Sequence, residues 1–211
     1  EGSHRGRDWF DLAHLEAASG RLRDALDAIA TSLECDPDSK LARLLQAKLF
    51  ADGGEPARAK ALLTELLRSD SEGREARLLM ARVLTAEGEY AGARAQIGAI
   101  LARAEGDREA HLALAALAEA EGVPAEAIRH YARAYSHGSK EPSTLLAWAR
   151  CLIATGALDR AEEILEGAAA EASGDADVHF ALGTVRYRRR RMTAAIEAFG
   201  RAIRIAPSSG E

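Results

Sequence analysis

The chain has no asparagine, only two cysteines and five prolines among 211 residues, and aromatic side chains make up 5% of it. Cys35 and Cys151 cannot build a disulfide framework. So little proline leaves long stretches free to be helical, and β-branched residues are too sparse to favour a sheet. The longest uncharged apolar run, residues 110–118, is nine residues long. That is well short of the ~18 needed to cross a membrane as a helix. Charged residues are 29% of the total and the net charge is −5. Signs so nearly balanced exclude a basic polyanion-binding domain and a disordered acidic chain. Alanine, by contrast, occurs 47 times, and 24 arginines stand beside four lysines, as GC-rich coding would produce.

What is abundant is also periodic. Gly20, Gly54, Gly88, Gly122 and Gly156 are spaced by 34 residues, as are Ala25, Ala59, Ala93, Ala127, Ala161 and Ala195. A third column runs through Ala13, Ala47, Ala81, Ala115, Ala149 and Gly183. Six ungapped units follow, at 6–39, 40–73, 74–107, 108–141, 142–175 and 176–209, after a short remnant at 1–5. Glu1-Gly2-Ser3-His4 reads as a cloning remnant, expected to be disordered. Each unit holds two helical stretches around its glycine. In the third, Leu78, Leu79, Val83 and Leu84 keep a helical period, Gly88-Glu89 ends the helix, and Ala93, Ile97, Ile100 and Leu101 form the next stripe. Helices of about three turns are unstable alone, so they must stack. Small residues such as Ala81 and Ala93 let the two backbones approach.

Trp9, Leu12, Ala13, Gly20, Ala25, Ile29 and Pro37 in the first unit, and Leu182, Gly183, Ala195, Phe199, Ala202 and Pro207 in the last, give a pattern that resembles the tetratricopeptide repeat family. The resemblance covers essentially the whole chain. It implies an all-α, right-handed superhelical solenoid of six helix–turn–helix repeats, about twelve antiparallel helices, whose first helices line a concave groove. Departures are local. Ser71, Glu105, Ser139 and Ser173 replace the late proline, and Arg190 replaces the sixth turn glycine. The Trp9 column continues as Arg43, Arg77, His111, Leu145 and His179.

Carried onto this sequence, the family geometry places Phe10, Leu44, Leu78, Leu112, Leu146 and Phe180 in the groove. One turn further on lie His14, Lys48, Arg82, Ala116, Arg150 and Thr184, with Tyr187 on the same side. The competing reading makes this apolar column part of the core. Family members that clamp an acidic chaperone tail use lysines and asparagines, but the matching places here hold Phe10, His14, Leu45, Glu75 and Leu79. An apolar or amphipathic partner segment with acidic flanks suits the groove better. Arg186, Arg188, Arg189, Arg190 and Arg191 are expected either to complement a helix C-terminus or to bind carboxylates or phosphates of an acidic partner. Nucleic acid fits poorly, given one basic turn on an acidic protein with few aromatics.

No phosphate-cradling loop and no catalytic constellation is found. No histidine lies three or four residues from another histidine or a cysteine, so neither metal nor cofactor is expected. His111 and His179 share a repeat column and read as structural, Cys151 reads as core, and Glu162-Glu163 as solvated helix-face charge. The first expectation is a non-catalytic scaffold that binds a segment of another protein. Alternatives are the docking region of a larger enzyme and a self-assembling scaffold, since the first unit carries net −5 and the sixth +5. The end four residues after Pro207, without the family's closing helix, suggests a cut from a longer protein or a partner covering Phe199 and Ala202. No compartment is indicated, leaving the cytoplasm as default.

Overall fold

The computed structural model describes residues 2–69 and 73–207, with side chains from residue 5 onward. Glu1, Ser71 and residues 208–209 of the sixth repeat lie outside them. Among the described residues there are twelve helices and no strand. They are α1 (Gly2–Ala18), α2 (Leu22–Cys35), α3 (Lys40–Asp52), α4 (Pro56–Ser69), α5 (Arg74–Ala86), α6 (Tyr90–Leu101), α7 (Arg108–Ala120), α8 (Pro124–Ser136), α9 (Pro142–Ala154), α10 (Leu158–Glu171), α11 (Ala176–Arg188) and α12 (Met192–Ile205). Each repeat supplies one pair. The first helix begins at Gly2.

The array divides into two compact units, Glu1–Arg103 with α1–α6 and Ala104–Glu211 with α7–α12. In each unit every helix packs on the next in the chain, and the first helices of successive repeats also meet, α3 with α5 and α9 with α11. The core of the second unit gathers Tyr131, Leu145, Trp148, Leu152, Leu165 and Val185. That of the first includes Ala13, Ala25, Ile29, Leu45 and Leu49. Trp148 is 2% exposed, whereas Trp9 on α1 is 39% exposed.

Local chemistry explains where the helices begin and end. The Asp107 carboxylate accepts from the Ala110 N–H at 2.9 Å, and Asp175 accepts from the N–H groups of Asp177 and Val178 at 2.9 and 3.2 Å. Each satisfies donors that the first turn leaves open. Between paired helices the turn glycines take φ of 74–79°. The next residue then donates back to the helix, as Val123 N–H does to the Ala118 carbonyl at 2.8 Å. Arg190 adopts φ 60° in the glycine's place, and Arg191 N–H still reaches the Arg186 carbonyl at 2.9 Å. The turn survives the substitution at the cost of a left-handed arginine.

The two alanine columns are where paired helices touch. Ala13, Ala47, Ala115 and Ala149 have no exposed surface, nor do Ala25, Ala59, Ala93, Ala127 and Ala161. Gly183 breaks the first column for a visible reason. A Cβ there would lie 2.6 Å from Cδ1 of Phe199, whose column elsewhere holds Ile29, Leu63, Ile97, Tyr131 and Leu165. Gly183→Ala should therefore destabilise the fold by about 1 kcal/mol, overpacking outweighing alanine's helix propensity. Pairing it with Phe199→Leu should reverse the loss. Urea titrations of both variants check this, and a Gly183→Ala protein at least as stable as wild type would refute the clash.

Candidate functional site

In the first unit Phe10, Leu44 and Leu78 are half-buried, while His14, Lys48 and Arg82 one turn on are exposed. The Phe10 and His14 rings meet edge to face at 4.8 Å, so the expected pairing on one helix face is formed. In the second unit Leu112 and Leu146 are half-buried against the core, and Ala116 and Arg150 are exposed. These leucines each give one side to the interior and leave part of their surface open. Phe180 and Tyr187 differ, at 61% and 59% exposed, with half-buried Thr184 between them. Arg82 is engaged by Asp52 at 2.9 Å. Lys48 and Arg150 form no ion pair among the described residues.

Three members of the arginine run are engaged within the protein. Glu162 on α10, read from sequence as solvated charge, is 3% exposed and sits at the centre of the run. Arg186 donates to it at 2.9 Å and to Glu166 at 2.7 Å. Arg189 donates to Glu162 and pairs with Asp159, and Arg191 reaches Glu162 at 3.2 Å. Only Arg188 and Arg190 remain exposed without an ion pair among the described residues. Burial alone would raise the Glu162 pKa, but the hydrogen bonds from Arg186 and Arg189 and the charge of Arg191 outweigh it and hold the carboxyl below its usual range.

Three repeats earlier the columns of Glu162, Arg189 and Arg191 carry the opposite charges, with Leu84 in the place of Arg186. Lys60 occupies the Glu162 column on α4 and pairs with Glu87 at 2.7 Å and Glu89 at 2.8 Å, in the columns of Arg189 and Arg191. Glu162→Lys should cost about 3 kcal/mol, because it buries like charge among arginines. Adding Arg186→Leu, Arg189→Glu and Arg191→Glu, which rebuilds the Lys60 joint, should recover most of it. Denaturant midpoints of the single and quadruple variants decide, and a quadruple variant no better than the single would remove this account of the joint.

Sequence reasoning missed a cluster of three histidines. Buried His111 on α7 directs Nε2 to the Glu105 carbonyl at 2.9 Å and Nδ1 to the Nδ1 of His130 on α8 at 3.4 Å. His137 stacks on His111 with ring centroids 6.2 Å apart. The spacings, 19 and 26 residues, lie outside the one-helix window used to search for pairs. The available signal was a repeat column, since Arg77 and Gln96 at the equivalent positions also bond, at 2.7 Å. No group of three ligands able to hold a metal occurs among the described residues. His179 repeats the His111 bond, Nε2 meeting the Ser173 carbonyl at 3.1 Å. Cys151 is buried as expected, its thiol pushed up to about 11 by burial.

Burial first, and then the neighbouring His111 with Arg129 and Arg133, hold His130 below the ordinary imidazole range against the pull of Glu126. The unfolded chain therefore takes up this proton first, and stability falls as pH drops through ~6.5. The thermal midpoint of wild type should fall further between pH 7.5 and 5 than that of His130→Gln. Parallel scans giving the same fall for both would count against the depressed histidine.

Two family models described as tetratricopeptide repeat match the chain, one at residues 50–117 and 118–184, the other at 10–70. No curated protein matches it. Among solved structures, PilW, described as a widely conserved type IV pilus biogenesis factor, is similar at 18% identity and a TM-score of 0.82, over 97% of this chain and 95% of that one. PilF of Pseudomonas aeruginosa is similar at 19% identity and a TM-score of 0.77, over 99% and 96%. YrrB, described as having an unusual peptide-binding site, aligns at 20% identity and a TM-score of 0.65, over 87% and 95%. The chain spans 41% of its match in the APC/C hetero-tetramer Cut9-Hcn1, at 19% identity and a TM-score of 0.76.

Proposed function

Since the chain belongs to the tetratricopeptide repeat family, we propose that it is a non-catalytic scaffold holding a segment of a partner protein on the first-helix faces of its repeats. The observation that carries this reading is Phe180 and Tyr187 on α11, two large aromatic side chains seven residues apart and each more than half exposed. Aromatic surface of that extent is characteristic of a binding anchor and is costly to leave in water. The half-buried Leu112 and Leu146 line the corresponding positions of α7 and α9, with Arg150 exposed beside them. This chemistry suits an apolar or amphipathic segment with an acidic flank. In the first unit Phe10, Leu44 and Leu78 offer the equivalent face beside Lys48, while Arg82 is balanced by Asp52. YrrB, similar in fold, is described as having an unusual peptide-binding site.

A pull-down from lysate of the source organism tests this, comparing wild type with a Phe180→Ser/Tyr187→Ser variant. Both residues are exposed, so the unfolding free energy should change by no more than about 1 kcal/mol. A protein retained by wild type and lost by the folded variant is the expected result. Equal retention by both would take the partner off this face. Leu78→Glu and Leu112→Glu probe the two units separately, with a stability loss expected because each leucine is half-buried.

A further inference from the structure

On the side of the second unit away from the first-helix face, a cleft of about 620 Å³ opens between α10 and α12. Its floor is His179, Leu182 and Arg186 of α11; Glu166, Ala169, Ala170 and Ser173 line one wall, Arg201, Arg204 and Ile205 the other. Arg186 is neutralised by Glu162 and Glu166. Arg201 and Arg204 are exposed and form no ion pair among the described residues. The cleft thus carries two uncompensated positive charges, those of Arg201 and Arg204, beside the apolar Leu182, Ile205, Ala169 and Ala170. In its floor His179 is 4% exposed, and its Nδ1 has no hydrogen-bond partner.

The preceding repeat provides an internal control. The equivalent cleft between α8 and α10 has about 480 Å³ and is lined by Tyr135, Leu145, Arg160, Glu163, Gly167 and Glu171 among others. Moving on 34 residues turns Tyr135 into Ala169, Leu145 into His179, Gly167 into Arg201 and Glu171 into Ile205. A bulky ring is withdrawn, a negative charge becomes apolar and a new arginine appears. These changes enlarge one member of a repeated set of clefts and turn it cationic.

We propose that the α10–α12 cleft binds a small organic carboxylate. Arg201 and Arg204, one helical turn apart, take the carboxylate, and Leu182, Ile205 and the alanines cover a short hydrocarbon stem. Guanidinium groups suit a carboxylate because their donors match it two at a time. The site is separate from the first-helix face and does not depend on partner capture there.

The test is titration of the full chain with acetate, hexanoate and hexanamide, read by protein-observed NMR with the His179 ring nitrogens as local reporters. Hexanoate is expected to saturate with a Kd at least about tenfold below those of acetate, which lacks the stem, and hexanamide, which lacks the charge. Arg201→Gln/Arg204→Gln, at two exposed positions, should weaken hexanoate about tenfold and leave hexanamide unchanged. His179→Leu restores the residue that the preceding repeat carries as Leu145, and should keep the fold and the hexanoate preference over acetate. Equal affinity for hexanoate and hexanamide, or an undiminished hexanoate affinity in the double arginine variant, overturns the proposal. Acetate binding as tightly as hexanoate would reduce the cleft to a cationic surface and overturn it equally.

Discussion

Two helices can cross with their backbones nearly in contact only where neither carries more than a methyl group, and every repeat of this chain meets that condition. Ala13 and Ala25, Ala47 and Ala59, and so on to Gly183 and Ala195, are all buried. Close approach brings the larger side chains on either side of the crossing into the interior, and three-turn helices with no independent stability become a stack. The last repeat shows how narrow the allowance is. Phe199 takes the volume that a methyl would need, and the opposing residue is glycine.

Apolar columns alone do not distinguish one repeat joint from another, because the same residues recur at each. Charge does. The Lys60 joint and the Glu162 joint occupy the same columns with opposite polarity, so a second helix carrying either residue fits only one of the two following turns. Exposed ion pairs contribute little to stability. Glu162 is covered, however, so a mismatch would leave a buried charge without its partner. The arginine run, the most conspicuous local feature of the sequence, is for the most part the complement of one carboxylate.

Helix boundaries, turn positions and the alanine contacts could be read from sequence because each rests on a constraint repeated through the chain. Gly88 ending a helix means little alone and much when Gly20, Gly54, Gly122 and Gly156 do the same. Features present once left no such pattern. Glu162 looks like any helix-face acid until the fold brings Arg186, Arg189 and Arg191 to it from 24–29 residues away. His111 and His130 meet because they occupy facing columns of one helix pair, a relation invisible to a search along a single helix. The first-helix column was legible as apolar. Its division into half-buried leucines and exposed aromatics was not, since that depends on what each helix packs against.

The two tryptophans fall one to each unit, and their surroundings differ sharply. Trp9 stands partly in water on α1, whereas Trp148 is sealed in the second core with the Arg160 guanidinium 5.5 Å from its ring and no partner for its indole nitrogen. Intrinsic fluorescence from this chain is consequently a two-channel signal, with red-shifted, quencher-accessible emission from the first unit and blue-shifted, shielded emission from the second. Each half of the array thus carries its own optical label without any being introduced.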